Sequence, residues 1–246
     1  MSKTNKVPKM IHYCWFGGKE KPDLVKKCIE SWKQNLKDYE IVEWNEQNFD
    51  VNCNDYVKEA YEADKFAFVS DYARVHGLYH IGGIYLDTDV EVYKSFDDLL
   101  HHDSFWGFEQ ENYIATSTIG AAKGNKLIKQ FLDSYSGRKF IEEDGSFNDL
   151  TNVAVLTKML ECLGLKTNGL YQELEGIGAF YPQPYFSPYD YINCRSFKSD
   201  KTYAMHYFYK SWLPPKARFK SNVKKVAAKI IGGDTIARLR KKVSGT

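Results

Sequence analysis

A chain of 246 residues has room for one sizeable domain with a buried core, and none for two large ones. Composition is that of a globular protein, 43% hydrophobic and 27% charged, with no apolar run of ~18 residues to cross a bilayer and no apolar core of a signal peptide near Met1, so a cytoplasmic location is expected. The net charge of +2 hides a split: residues 213–246 carry ten Lys/Arg against the single acid Asp234, while residues 1–212 carry 24 bases and 31 acids.

In chain order, Val7 to Phe16 reads as a first strand, with Ile11, Tyr13 and Trp15 alternating with His12, Cys14 and Phe16 before Gly17-Gly18 break it. Pro22 then opens a helix whose apolar residues Leu24, Val25, Cys28, Ile29 and Trp32 recur at helical spacing. Tyr39 to Trp44 is a second strand, Asn54 to Ala63 a short helix, and Phe66 to His80 a longer one. Gly82-Gly83 stop that helix, and Ile84-Tyr85-Leu86 form a short apolar strand running into Asp87-Thr88-Asp89, with Val90 to Tyr93 continuing as strand. Further on, Ser104 to Glu109 and Ile114 to Ala121 read as strands, Lys126 to Tyr135 and Thr151 to Leu163 as helices. Ile177 to Tyr185 is strand or extended, and Tyr203 to Tyr207 is a last strand. Strand and helix alternate through the first half, which predicts an α/β fold with a mostly parallel central sheet. The composition shift at Pro214-Pro215 divides a domain of residues 1–212 from a basic tail of residues 213–246.

The chemistry concentrates in Gly82 to Asp89. Three apolar residues form a buried strand, two carboxylates follow at its carboxyl end, and ligands in open α/β sheets bind beyond such ends. Residues two apart on an extended chain point to opposite faces, but a turn at Thr88 brings both acids toward one cation. Like charges so close are costly unless a cation or ligand hydroxyls share them. Hard oxygen donors suit Mn²⁺ or Mg²⁺, which also hold substrate phosphates. Taken alone, an Asp-x-Asp reads first as an exposed turn after a strand, and the apolar strand and double glycine before it favour the functional reading. On the preceding helix, Asp71 and Arg74 lie three apart: either a surface ion pair of little worth, or a guanidinium fork held for phosphate or for Asp71. Five scattered cysteines form no CxxC pair, and no GxSxG, GxGxxG or P-loop pattern is present, so zinc fingers, disulfide scaffolds and those nucleophile and phosphate motifs are excluded. Glu109, after the strand-like Trp106-Gly107-Phe108, is expected to face an acceptor.

Ala67 to Arg74, Leu78-Tyr79 and Gly82 to Asp89 together resemble the DXD-containing sugar-binding region of family 32 glycosyltransferases, and the donor site of the large clostridial glucosylating toxins. That family includes capsule and exopolysaccharide transferases and yeast initiating α-1,6-mannosyltransferases. Pro8 to Gly18 is similar to the same family's first strand, so the resemblance spans residues 7 to about 110. It implies a GT-A-type, Rossmann-like fold, a nucleotide-sugar donor (UDP-linked by expectation), a divalent cation (Mn²⁺, or Mg²⁺) and retention of anomeric configuration. By position, Trp15 would lie against the donor base, although it equally suits a core. Ser70, Asp71 and Arg74 would touch sugar or diphosphate, Tyr85 and Asp87 ribose or sugar, and Asp89 the metal. Met205 to Trp212 resembles the closing segment of GT-A enzymes, which implies His206 as a third metal ligand and Ser211 and Trp212 at the diphosphate.

The expected activity is transfer of a hexose or N-acetylhexosamine to a glycan or lipid-linked acceptor in surface polysaccharide synthesis, with Asp87, Asp89 and Arg74 central. A protein-modifying effector and a non-catalytic carbohydrate- or nucleotide-binding module are the competing readings. In the tail, Phe219, Val223, Val226, Ala227, Ile230 and Ile231 recur at helical spacing among lysines, which reads as a membrane-surface helix or as one packed on the body. No aromatic-basic platform accompanies it, so no nucleic-acid partner is expected.

Overall fold

The computed structural model describes residues 4–148 and 150–209. Ser211, Trp212 and the basic stretch 213–246 lie outside the described residues, and with them the expected tail helix.

The sequence elements form in order: β1 (Met10–Cys14), α1 (Asp23–Asn35), β2 (Glu40–Trp44), α2 (Asp55–Glu62), α3 (Phe66–His80), β3 (Gly83–Leu86), β4 (Val90–Val92), β5 (Ser104–Gly107), β6 (Thr118–Ala121), α4 (Lys126–Asp133), α5 (Asn152–Cys162), β7 (Gln172–Leu174), β8 (Gly178–Tyr181), β9 (Tyr189–Asp190), β10 (Arg195–Ser196) and β11 (Ala204–His206). Seven strands make one sheet in the order β2-β1-β3-β6-β5-β8-β7. β2, β1, β3, β5 and β8 run one way, and β6 and β7 run against them, giving the mixed α/β, mostly unidirectional sheet that the alternation of elements predicts.

The period of two along each strand sends its side chains into two cores. Ile11 and Tyr13 of β1, Ile84 and Leu86 of β3 and Phe105 of β5 pack with Cys28 and Trp32 of α1 on one face. Cys14, Tyr85, Trp106 and Ile119 pack on the other face with Val57 of α2, Val69, Ala73 and Leu78 of α3, Leu127 and Phe131 of α4 and Leu156 of α5. His12 is buried between sheet and helices as a structural imidazole. Its Nδ1 accepts from the Trp44 indole N–H at 3.2 Å, which leaves Nε2 to donate to the Gly82 carbonyl at 2.7 Å.

Local signals place the ends of the helices. The Asn54 side chain accepts from the Val57 amide at 2.9 Å and caps α2, and Asn125 and Thr151 cap α4 and α5 in the same way. Gly83 supplies φ +110° at the turn from α3 into β3, and a Cβ there would meet the Met10 carbonyl oxygen at 2.7 Å, so the pairing of β3 with β1 needs a residue without one.

The expected strand Ile114–Ala121 divides. Ala115 donates to the Gly107 carbonyl and Ile114 bridges Phe108, and only Thr118–Ala121 joins the sheet. Among the described residues no helix is long and apolar enough to cross a membrane.

Candidate functional site

β3 ends at Leu86, and the chain turns at once. The Val90 amide donates to the Asp87 carbonyl at 3.0 Å, and the Asp87 amide to the Ser117 carbonyl at 2.9 Å. This is the turn that the Asp-Thr-Asp sequence needs for both carboxylates to converge. Beyond it, α1 stands in for a neighbouring strand: Trp32 Nε1 donates to the Val90 carbonyl at 2.7 Å, Ser31 Oγ accepts from the Val92 amide at 3.0 Å, and Asn35 donates to the Val92 carbonyl at 3.0 Å. Backbone groups that a sheet would pair are thereby satisfied by side chains, and the strand after the turn is held on that flank.

On its other flank β4 pairs antiparallel with β11, His206 opposite Val90, which carries the imidazole to the acids from more than a hundred residues away. His206 Nε2 lies 3.4 Å from Asp89 Oδ1 and 4.0 Å from Asp87 Oδ2. Among the described residues, Asp87, Asp89 and His206 form a group whose ligating atoms all fall within 4.8 Å of one another. Two hard carboxylates and one imidazole fit Mn²⁺ or Mg²⁺. His206 Nδ1 is buried with no hydrogen-bond partner among the described residues.

Asp89 also fixes the chain that follows His206. Its carbonyl accepts from the Tyr207 amide at 3.0 Å and its Oδ2 from the Tyr209 amide at 2.7 Å. Phe208 between them takes φ +52°, and its ring lies 4.0 Å from that of His206.

The protons of this cluster are arranged by charge. Burial alone would discharge His206, but Asp89, by its charge and its hydrogen bond, and then Asp87 and Glu109, push the imidazole up to about 9. Burial pulls Asp89 upward, yet the His206 charge and hydrogen bond, with the Tyr209 amide, hold it below the usual carboxylate range. The shared proton therefore sits on the imidazole.

Arg74 is the second centre. It is buried on α3, so it is no surface ion pair. Its guanidinium meets Asp71 Oδ1 at 2.8 Å and Asp87 Oδ1 at 3.3 Å, donates to the Thr116 carbonyl at 2.9 Å and to the Ser70 carbonyl at 3.3 Å, and lies 4.5 Å over the Tyr85 ring. Burial pushes Asp71 up to about 6, against the lowering effect of Arg74. The fork is thus committed to protein groups and joins α3 to the acidic turn.

The other residues singled out in the sequence fall as follows. Tyr85 is buried and donates its hydroxyl to Asp87 Oδ1 at 2.9 Å. The Ser70 hydroxyl donates to the Phe66 carbonyl at 2.9 Å within α3. Trp15 is half-buried at the carboxyl end of β1, its indole N–H on the Lys19 carbonyl at 2.6 Å and Lys21 Nζ 5.5 Å from its ring centre. Asp71, Arg74, Tyr85, Asp87, Asp89 and His206 come together, with Ser70 bonded to Arg74 through its carbonyl. Ser211 and Trp212 lie outside the described residues. The partners that sequence reasoning missed, the Thr116 and Ser117 carbonyls and the Tyr209 amide, are backbone groups that leave no mark in residue type.

Comparison with known proteins bears on this site. The chain is 30% identical over 131 residues to inositol phosphoceramide mannosyltransferase 3 of Schizosaccharomyces pombe, a match covering 50% of this chain and 36% of that protein. It is 25% identical over 215 residues to subversion of eukaryotic traffic protein A of Legionella pneumophila, covering 70% of this chain and 32% of that one. The matches thus span about a third of the length of these relatives. Among solved structures, the PaToxG glycosyltransferase superposes with a TM-score of 0.46 at 19% identity, over 63% of this chain and 69% of that one. The galactosyltransferase LgtC, in complex with donor and acceptor sugar analogues, superposes with a TM-score of 0.45 at 13% identity, over 89% and 95%. Residues 22–106, which include Asp71, Arg74, Asp87 and Asp89, match the family described as the glycosyltransferase sugar-binding region containing the DXD motif.

Proposed function

We propose that the chain is a metal-dependent glycosyltransferase of GT-A type and of the family 32 kind. In this reading it moves a hexose or N-acetylhexosamine, with retention of configuration, from a nucleotide sugar that is UDP-linked in the first instance. The observation that carries it is the convergence of Asp87, Asp89 and His206 within 4.8 Å at the carboxyl end of β3, inside the stretch that matches the DXD-containing region. A divalent cation held by these three side chains supplies positive charge against a departing diphosphate.

The protein groups do the positioning. Arg74 sets the rotamers of Asp71 and Asp87, Tyr85 backs Asp87, and Asp71 and Ser70 border the sugar. Trp15 flanks the base, and Ser211 and Trp212 serve the diphosphate. In the transfer the bond from sugar C1 to the β-phosphate oxygen breaks, its electron pair leaving on the diphosphate. The acceptor oxygen bonds to C1 from the same face, and its proton passes to a diphosphate oxygen. No enzyme base is assigned to this step.

The yeast relative is named for moving mannose onto inositol phosphoceramide, which supports a hexose as the group moved and a lipid-borne or glycan acceptor. A contact between the basic stretch 213–246 and an anionic membrane surface, from the cytoplasmic side, accords with such an acceptor. The longer match, to a Legionella protein named for subverting eukaryotic traffic, favours a second reading in which the acceptor is a protein.

The test is release of nucleoside diphosphate from a panel of UDP- and GDP-sugars with Mn²⁺ or with EDTA. Turnover of one donor, lost with EDTA and reduced by roughly 10²–10³ in Asp89→Ala, is the expected result. Turnover unaffected by either change, or none with any donor, refutes the proposal. Labelling of lipid-linked oligosaccharides against proteins then separates the two acceptors.

A further inference from the structure

Glu109 is a carboxylate for which the donor site above has no use. It follows β5, which opens on the same edge of the sheet as β3. Parallel pairing sets Gly107 against Tyr181, and the Phe108 amide donates to the Tyr181 carbonyl at 2.8 Å. β5 ends at Gly107 and β8 at Tyr181, so Glu109 and Gln183 each lie two residues past the carboxyl end of one of these two paired strands.

The Glu109 backbone is engaged, its amide on the Tyr113 carbonyl at 2.7 Å and its carbonyl under the Asn112 amide at 3.1 Å. Its side chain, by contrast, has no hydrogen-bond or ion-pair partner among the described residues. It lies close enough to Asp87 and His206 for their charges to act on it, yet outside the group whose ligating atoms fall within 4.8 Å. Arg74, the guanidinium that meets Asp87, is committed to Asp71, Asp87, Thr116 and Ser70. Across the strand ends, Gln183 Nε2 is buried and also lacks a partner among the described residues.

A carboxylate without a donor and a buried amide N–H without an acceptor, each just past the end of one of two neighbouring strands, are groups that a polar ligand would satisfy. A ligand bearing hydroxyl donors at adjacent positions has the chemistry to do so. Two carboxylate oxygens match the neighbouring hydroxyls of a pyranose, whereas a Ser or Thr side chain offers a single hydroxyl.

We infer that Glu109 is an acceptor-binding residue, accepting hydrogen bonds from the hydroxyls of a hexose-terminated acceptor in a subsite between the carboxyl ends of β5 and β8. The inference rests on the glycosyl-transfer reading above.

The experiment uses the full chain with Mn²⁺ and two readouts: hydrolysis of the donor sugar nucleotide in water, and transfer to a panel of p-nitrophenyl α- and β-hexosides. Glu109→Gln keeps the side-chain volume and removes an unpaired charge, so its melting temperature should equal or exceed that of the wild type. Donor hydrolysis and donor KM should stay within about twofold, while transfer falls about tenfold to a hundredfold through the acceptor KM, the loss expected for a hydrogen bond to a charged group. If hydrolysis and transfer fall together, Glu109 serves the donor or the metal and the inference is wrong. Unchanged transfer overturns it too, as does a wild-type protein that hydrolyses donor and glycosylates none of the hexosides. A wild-type protein that neither binds nor hydrolyses any donor removes the parent reading, and this inference with it.

Discussion

Replacing Arg74 with Met tests the centre of the site at the level of stability before any substrate is known. Methionine keeps a long unbranched side chain against the Tyr85 ring and deletes the guanidinium. Lost are the contacts to Asp71 at 2.8 Å, to Asp87 at 3.3 Å, and to the Thr116 and Ser70 carbonyls. Removing one partner of a buried charge network costs roughly 3–5 kcal/mol. Asp71 and Asp87 keep 19% and 24% of their side-chain exposure, so water recovers part of the loss. The lower end, about 3 kcal/mol, is therefore expected. For a chain of this size that is a fall in Tm of about 6–12 °C.

The deficit should also depend on pH. Asp71 is already raised to about 6 by burial, with Arg74 opposing. Without the guanidinium it rises further. An acid whose folded-state pKa exceeds its unfolded value penalises folding increasingly as pH climbs from the unfolded toward the folded value. In the wild type that penalty stops growing near pH 6, and in the variant it continues, so the gap widens above pH 6 and narrows below. Thermal melts by circular dichroism at pH 5 and pH 8 in EDTA measure it. A loss under about 1 kcal/mol, or one equal at both pH values, refutes the view that Arg74 stabilises the fold by pairing these carboxylates.

Two further outcomes follow from the same geometry. His206, raised to about 9, is charged at neutral pH in the metal-free protein. Its stabilising contribution is full below the ordinary histidine value and is lost as pH rises through about 9. A divalent ion must displace that proton, so Mn²⁺ affinity should climb by up to about tenfold per pH unit between 6 and 8, and titration calorimetry that finds it flat refutes the assignment. Trp32→Phe leaves the Val90 carbonyl without its 2.7 Å donor and opens a gap under β4. Urea denaturation should show a loss of about 2 kcal/mol, and a neutral result would mean that α1 does not hold the acidic turn.

How much of this was legible in the sequence depended on distance along the chain. The bounds of α3 were read in full, because its glycine stop and apolar spacing are local. The acidic turn at Asp87 to Asp89 was equally plain from a three-residue apolar run. The burial of Arg74 was not, since a guanidinium three residues from an aspartate looks the same on a surface; its NH1 meets the Thr116 carbonyl of the segment that leads into β6, more than forty residues on. β7, β9 and β10 carry too few apolar residues to alternate, so neighbouring strands and not propensity make them extended. His206 was expected as a ligand only through family resemblance, and what delivers it to the acids is a strand pairing with β4 that no local pattern encodes.

Asp89 grips the chain at both Tyr207 and Tyr209, so the described polypeptide ends beside the candidate metal ligands. Whatever is fused or tethered after Tyr209 begins beside the Asp87, Asp89 and His206 group. Shortening from that direction has a sharp threshold. A cut just after Tyr209 leaves both anchors in place, whereas one ahead of Ala204 takes away a strand, an imidazole and the grip together.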